Sequence, residues 1–368
     1  MKTMLAARMH EIGGPFVLEP IPLPEVRPTD VLVAVKACGV VPNLKNVLTK
    51  WPEWFPHLPL PKLPAIFGLD PAGVVEEVGS QVQSIRPGDR VYVNPARGCG
   101  SCRPCRSGEI VNCRGFTLQG YFGRGPLSQP IFDAYPYGGL SEYVTAPQSA
   151  LVKLPDNVSF ETAGRFGYLG TAYAAIRKSG AGPGRSILIN GIGGTLGLCV
   201  AMVGLATGVS TILGTGRNQT LLDRVKALAP ARIEVFAVGE RPVHEWAMEV
   251  TGNEGVDGVI DTLPPGAPAS AMLDALRALR RGGRAVDIGG MAETLPLNVH
   301  WMMGMNIQLI GSCWFTTAEG QELAEMSRVG TLDLSILQHR RFPLRGINDA
   351  VSSLEDGNRG FNNFVVIP

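Results

Sequence analysis

Residues 186–197 read Ser186-Ile187-Leu188-Ile189-Asn190-Gly191-Ile192-Gly193-Gly194-Thr195-Leu196-Gly197, and an apolar run leads on to Thr211-Ile212-Leu213-Gly214-Thr215-Gly216. No residue from Ile187 to Gly216 is charged. A membrane span needs about 20 apolar residues in one helix. Here Asn190 and eight glycines interrupt the run. The pattern predicts a buried strand over 186–189, a glycine turn, a buried helix over 195–207 and a second buried strand from Thr211.

The alternation continues downstream. Residues 221–229 have helical spacing, 256–261 read as a strand, 270–280 as a helix and 284–288 as a strand. Alternating strands and helices predict a parallel sheet covered on both faces. Before about residue 158 the chain is β-rich. Val31-Leu32-Val33-Ala34-Val35, Ala72-Gly73-Val74-Val75 and Val91-Tyr92-Val93 are short apolar runs between Gly and Pro. Such runs predict an antiparallel barrel. Residues 51–64 (WPEWFPHLPLPKLP) predict an irregular loop. The C-terminal stretch combines a helix near 318–329 with strands ending at Phe364-Val365-Val366-Ile367. No internal repeat is visible.

The chain has 368 residues, enough for two domains. With 45% hydrophobic and 18% charged residues it is neither disordered nor collagenous, despite 46 Gly and 29 Pro. A net charge of +1 gives no basic stripe for nucleic acid. The N-terminus MKTMLAARMHEIGGP lacks a signal-peptide apolar region, so a cytoplasmic location is expected. In that reducing compartment the seven cysteines are expected to bind metal or pack.

Two motifs carry chemistry. Cys99, Cys102, Cys105 and Cys113 lie within fifteen residues, with Gly98, Gly100 and Gly108 to let the backbone turn. Four thiolates close a tetrahedral shell and leave no open position, so one structural zinc per chain is expected. The glycine turn supplies Gly191, Gly193, Gly194, Thr195, Leu196 and Gly197 between strand and helix, where backbone N–H groups hold a pyrophosphate. Its spacing is GxGGxxG, one residue longer than the usual fingerprint before the last glycine. NAD binders place an acid at the end of the next strand. Here Thr215-Gly216-Arg217 stands there, and no acid occurs before Asp223. A guanidinium without a carboxylate favours the 2′-phosphate of NADP(H). A solvated Arg217 with poor selectivity is the alternative.

With these stretches the whole chain resembles the medium-chain dehydrogenase/reductase superfamily, which includes zinc alcohol dehydrogenases and quinone oxidoreductases. Ala37-Cys38-Gly39-Val40, residues 72–79, 87–93, 138–144, 154–160 and 255–261, Gly282-Gly283-Arg284 and Ile288-Gly289-Gly290 match as well. The resemblance implies an α/β fold: a GroES-like β-barrel domain plus a Rossmann doubly wound parallel sheet. The barrel domain would span 1–158 and 315–368, and the dinucleotide-binding domain 159–314. It also implies that Thr171, Thr262, Ile288 and Gly289 line the cofactor, and that the protein is a homodimer or homotetramer. The apolar run at 307–310 is a candidate strand for pairing across a dimer.

The departures fall at the centre. The three catalytic zinc ligands of the alcohol dehydrogenases correspond here to Val41, Leu69 and Gly167, which have no donor atom on a side chain. The motif Gly68-Leu69-Asp70-Pro71-Ala72-Gly73 instead resembles zinc-independent quinone and enone reductases. The expected activity is therefore hydride transfer from NADPH to an electron-poor small molecule: a quinone, an enone or an iminium. A metal-independent or atypical alcohol/aldehyde dehydrogenase, and a nucleotide-binding sensor without turnover, are the alternatives. Asn43, in the place of the family's relay hydroxyl, either bonds a developing oxyanion or caps a turn. Tyr168 either donates a proton or walls the cleft. Asp70 is either catalytic or held in a structural bond. Trp51 and Trp54 either cover an aromatic substrate or pack. Cys38 lies three residues before the first ligand position, where the family places no ligand; Cys199 is expected in the core and Cys313 as an ordinary buried thiol. The five histidines, His10, His57, His244, His300 and His339, show no ligand spacing and are expected to be structural or at the surface.

Overall fold

The computed structural model describes residues 2–239, 241–355 and 360–368. The glycine turn lies in a sheet that among the described residues has six strands. In spatial order these are Ile233–Ala237, Thr211–Gly216, Ser186–Asn190, Val256–Asp261, Leu279–Asp287 and Gln308–Gly311. All neighbours are parallel. In chain order the first strand, Ser186–Asn190, lies third, and the sequence runs outward from it in both directions. This is the doubly wound order, with its ligand crevice at the carboxyl ends beside the first strand.

The helix Thr195–Ala206 is apolar all round, so it must be covered on every side. It packs between the sheet and the helix Phe166–Ser179. Leu198, Val200, Ala201 and Val203 are fully buried, and the leucine and the two valines each contribute about 1.5–3 kcal/mol. The helix expected over 270–280 ends earlier, at Leu276, and Leu279–Asp287 is a strand. Leu279 pairs with Val256, and Asp257 takes the Arg280 guanidinium at 2.8 Å, so sheet pairing wins over helical spacing.

The remainder centres on a second sheet. Its central strand, Asp30–Gly39, pairs antiparallel with Asp70–Val78, Tyr143–Pro147 and the C-terminal strand Asn362–Ile367. The chain end thus returns to the sheet built by the N-terminal strands. One pair, Gln338–Pro343 with Asn362–Ile367, is parallel, so the layer is not wholly antiparallel. The loop expected over 51–64 contains a short helix, Trp51–Trp54. Pro52 in its first turn lacks only an N–H that has no helical partner anyway. Tyr92, Phe166 and Phe315 stack where the two sheets' layers meet, with centroids 5.5 and 6.5 Å from Tyr92. Among the described residues no helix is long and apolar enough to cross a membrane.

Candidate functional site

The glycine turn is held by a chain of buried hydrogen bonds. Gly191 adopts φ +96°, a conformation that favours glycine. Its N–H donates to Thr215 Oγ1 at 3.1 Å, and the Thr215 hydroxyl donates to Asn190 Oδ1 at 2.9 Å. Asn190 Nδ2 donates in turn to Asp261 Oδ1 at 2.7 Å. The Thr262 hydroxyl donates to the Asn190 carbonyl at 2.8 Å. A Cβ at Gly197 would fall 2.2 Å from the Gly191 carbonyl, so only glycine lets the helix seat on the turn. Burial pushes the Asp261 carboxyl up to about 6. Thr215 and Thr262 therefore shape the turn from beneath, and Thr215 is fully buried.

Among the described residues no N-cap side chain bonds the N-terminus of Thr195–Ala206. That leaves a backbone cradle of the kind that holds phosphate. Gly216 closes the second strand, and Arg217 follows it, exposed and in no ion pair among the described residues. Asn218 caps the next helix by accepting from the Leu221 N–H at 3.1 Å. The cradle and the free cation fit a dinucleotide with a 2′-phosphate. Ile288 is buried, and the Gly289 N–H donates to Asp287 Oδ1 at 2.9 Å. Thr171 spends its hydroxyl on the Gly167 carbonyl at 2.8 Å.

The thiol sulfurs of Cys99, Cys102, Cys105 and Cys113 all lie within 4.8 Å of one another. Gly100 and Gly108 take φ +74° and +80° to make the turns. N–H groups of Cys99 and Gly115 both point at Cys113 Sγ from 3.4 Å. Backbone N–H groups of Ser101 and Cys102 bring Cys99 down to about 6, whereas burial pushes Cys105 up to about 12. Four convergent soft donors with no fifth group fit a structural zinc. Among the described residues no other group of three or more His, Cys, Asp or Glu side chains is placed to hold a metal.

Val41 and Leu69 are buried in apolar surroundings, and Gly167 is buried against the Asp70 carboxylate. Beside them Asp70 is wholly enclosed. Its Oδ1 accepts from the Tyr92 hydroxyl at 2.7 Å, and the Gly167 backbone lies against the carboxylate. Oδ2 has no partner among the described residues. Burial pushes the carboxyl up to about 7, against the pull of Tyr92, the Arg165 guanidinium and Gly167. Arg165 is itself buried and donates to the Asn362 carbonyl at 2.6 Å.

Asn43 precedes the helix Leu44–Thr49 but makes no side-chain cap. Its Oδ1 accepts from Asn46 Nδ2 at 2.9 Å. Tyr121 and Tyr168 lie in its neighbourhood. Tyr121 is a residue that sequence reasoning missed. It sits in Gln119-Gly120-Tyr121-Phe122-Gly123, where two glycines flank an aromatic pair, a weak signal. Trp51 is buried and stacks on Phe122 at 4.4 Å and Phe55 at 4.7 Å. Trp54 lies half-buried under Lys50.

Cys38 and Cys199 are buried, and Cys313 is half-buried. Two histidines do have carboxylate partners: His10 meets Glu19 at 2.6 Å, and His244 bonds Asp274. Asp274 also takes the Val243 N–H at 2.7 Å, so this pair anchors a helix start. His339 bridges Thr162 and Asn363.

Residues 27–156 match the family model for the alcohol dehydrogenase GroES-like domain, and residues 195–328 that for zinc-binding dehydrogenases. An alcohol dehydrogenase from Geobacillus stearothermophilus is 30% identical over 96% of this chain and 97% of its own. The chain belongs to the medium-chain dehydrogenase/reductase superfamily. Sorbitol dehydrogenase from Bacillus subtilis, 27% identical over 95% of this chain and 93% of its own, is a further relative. Among solved structures, the alcohol dehydrogenase of Aeropyrum pernix superposes with a TM-score of 0.80 at 25% identity, covering 99% of this chain and 100% of its own. A protein from Sinorhizobium meliloti 1021, solved bound to NADP, superposes at 0.84 with 23% identity over 100% of both chains. This medium-chain dehydrogenase/reductase is an oxidoreductase that combines the GroES-like domain, the Rossmann sheet and a four-cysteine cluster.

Proposed function

We propose that the protein is an NADP(H)-dependent reductase that works without a catalytic zinc and reduces an electron-poor small molecule. The observation that carries this reading is the closure of the centre. Val41 and Leu69 offer no donor atom, and Asp70 fills the space that a side chain at Gly167 would need. A metal at such a centre would supply several kcal/mol of charge stabilisation. A conjugated or cationic acceptor needs less of it. The cradle at Gly191, Gly193, Gly194, Thr195, Leu196 and Gly197 would hold the pyrophosphate, with Arg217 on the 2′-phosphate and Thr171, Thr262, Ile288 and Gly289 along the remainder.

When bound, NADPH supplies hydride. The chain's own residues bind and orient the acceptor. Trp51, Phe55 and Phe122 form an apolar wall that excludes water, with Trp54 at its edge. Asn43 and Tyr168 stand beside the closed metal position, and Tyr168 is partly exposed. Asp70 accepts from the Tyr92 hydroxyl and keeps a negative charge or a proton behind the site.

The barrel domain is assigned to 1–158 with 315–368 and the dinucleotide domain to 159–314. The edge strand Gln308–Gly311 exposes Leu309, and the preceding helix Val299–Met305 exposes Val299 and Met303, at 75% and 69%. This edge is assigned to a homodimer, or to a tetramer built from it. Free thiols throughout fit a reducing compartment such as the cytoplasm.

The names of the relatives favour a second reading, an alcohol or aldehyde dehydrogenase. The deciding experiment follows NADPH oxidation with quinones, enones, nitroalkenes and imines, and NADP+ reduction with alcohols and aldehydes. Turnover confined to alcohols would overturn the reductase reading. Tight NADPH binding without any turnover would make the protein a sensor.

A further inference from the structure

Resting on the dinucleotide cradle, and not on the choice of acceptor, we propose that Trp314 and Asn94 are positioning residues. Their hydrogen bond latches the crossing between the two sheets and sets the surface that receives the far half of a bound NADP(H). Trp314 takes φ +60°. Among the described residues the only other non-glycine residues with positive φ are Asn253 and Asn306. Asparagine tolerates that conformation, whereas a bulky side chain there is strained. Such strain persists only where the surroundings over-determine it, and it gathers at functional sites. Glycine or asparagine would make the same turn with less strain, so the turn alone does not account for an indole here.

The crossing is tied at both ends. Residues 312–316 join the strand Gln308–Gly311 to the helix Thr317–Arg328. At the first end the Ser312 N–H donates to the Asp287 carbonyl at 2.9 Å, and Lys178 Nζ donates to the Ser312 hydroxyl at 2.9 Å. At the other end Phe315 is fully buried in a notch left by Gly170, where a Cβ would collide with the ring. Thr316 then closes a capping box with Glu319. Trp314 stands between these ties, partly buried against both cores. Asn94 meets it from the second sheet, just past the strand Arg90–Val93, and is itself fully buried. Its Oδ1 accepts from Trp314 Nε1 at 2.9 Å and from the Ala96 N–H at 3.0 Å, and its Nδ2 donates to the Phe315 carbonyl at 3.4 Å. The Asn94 N–H donates to the Ala150 carbonyl at 2.9 Å, and its carbonyl accepts from Arg97 Nη1 at 2.6 Å. Both its backbone and its carboxamide are thus engaged. The indole N–H, which can only donate, is aimed at a fixed acceptor.

The place of the latch in the sheet says what it acts on. Strands Val256–Asp261, Leu279–Asp287 and Gln308–Gly311 make up one half of the six-stranded sheet, and Trp314 follows the carboxyl end of the outermost of them. The glycine turn and Arg217 follow strands of the other half. A dinucleotide lies across the carboxyl ends of such a sheet, with one mononucleotide over each half. With the pyrophosphate on the glycine turn and the 2′-phosphate at Arg217, the nicotinamide half falls on the side of Trp314. The latch therefore bears on the far nucleotide and leaves the near one to the cradle.

The test uses the full-length protein with NADPH and with 2′,5′-ADP, which carries the near half and its 2′-phosphate but no nicotinamide. NADPH binding is read by the emission of its own nicotinamide, and 2′,5′-ADP binding by calorimetry. Trp314→Phe keeps an aromatic ring and removes the donor. It should weaken NADPH by about fivefold, within the worth of one neutral hydrogen bond, and leave 2′,5′-ADP within about twofold of wild type. In the cofactor-free protein, amide hydrogen exchange should quicken over residues 308–317 and stay as in wild type over the glycine turn. In an Asn94→Ala background Trp314→Phe should have no further effect on NADPH, because the latch is already lost. Thermal unfolding checks that each variant is folded, and if Asn94→Ala is not, the first two measurements decide. Equal weakening of both ligands would point to a general loss of structure and overturn the latch. So would NADPH binding within about twofold of wild type in Trp314→Phe, unchanged exchange over 308–317, or a full effect of Trp314→Phe on top of Asn94→Ala. None of these readouts uses an acceptor. A turnover panel without product would sink the reductase reading and leave the latch standing, and the reverse outcome would sink the latch alone.

Discussion

The carboxylate of Asp70 and the α-carbon of Gly167 compete for one volume: a Cβ on Gly167 would lie 2.3 Å from Asp70 Oδ1 and 2.7 Å from Oδ2. The two residues are far apart in sequence, yet each sets what the other can be. Asp70 needs a glycine opposite it, and Gly167, with no side chain, leaves the carboxylate its room.

Gly167→Ala should therefore destabilise the protein by about 1–3 kcal/mol, the usual cost of overpacking a closed site. Urea unfolding would read it. Gly167→Ala combined with Asp70→Gly should recover much of the loss, because the added methyl then has room. An unchanged midpoint in the single variant would show that the site relaxes freely.

The burial of Asp70 also shapes stability against pH. Its carboxyl titrates at about 7 in the fold, above the ordinary value of 3.8. The native state thus holds a proton that the unfolded chain releases. The contribution of this group to stability is greatest below about pH 4, is lost as pH rises towards 7, and stays lost above it. Asp70→Asn keeps an acceptor for Tyr92 and carries no charge. It should flatten that part of the stability profile and gain on wild type above pH 7. Parallel profiles between pH 4 and 8 would assign the pH response elsewhere.

Arg217 bears on cofactor choice. Arg217→Ala should weaken NADPH by about tenfold or more while leaving NADH nearly unchanged, since only the former carries a phosphate for a charge-assisted bond. Fluorescence titration of both cofactors measures the ratio. If the NADPH preference survives the substitution, Arg217 is not the selecting residue.

Elemental analysis should find one zinc per chain, held by Cys99, Cys102, Cys105 and Cys113. Cys105→Ser should release it and lower the melting temperature by several degrees, because metal affinity that the unfolded chain lacks is folding energy. Two zincs per chain in the wild type would sink the proposal of a metal-free centre.

Much of this architecture was legible in the residues. The strand at Ser186–Asn190, the glycine turn and the helix Thr195–Ala206 are local: one apolar run, one cluster of glycines and one uncharged helix specify them. The four-cysteine loop was legible for the same reason, since its ligands lie within fifteen residues and its glycines make the turns. The helix boundary near Leu276 was not, because Arg280 is drawn into the sheet by Asp257 on a neighbouring strand. Nor was the pairing of His244 with Asp274, which belongs to the packing of two helices.

By itself, then, the sequence determined the two layers, the phosphate cradle, the thiolate cluster and the loss of donor atoms at Val41, Leu69 and Gly167, because each depends on residue type and short spacing. Only the tertiary structure decided what took their place. It sealed Asp70 between Tyr92 and Gly167, and it brought Tyr121 from beyond the cysteine loop to the side of Asn43 and Tyr168. Such juxtapositions arise from the folding of separate segments onto one core, and no spacing along the chain encodes them.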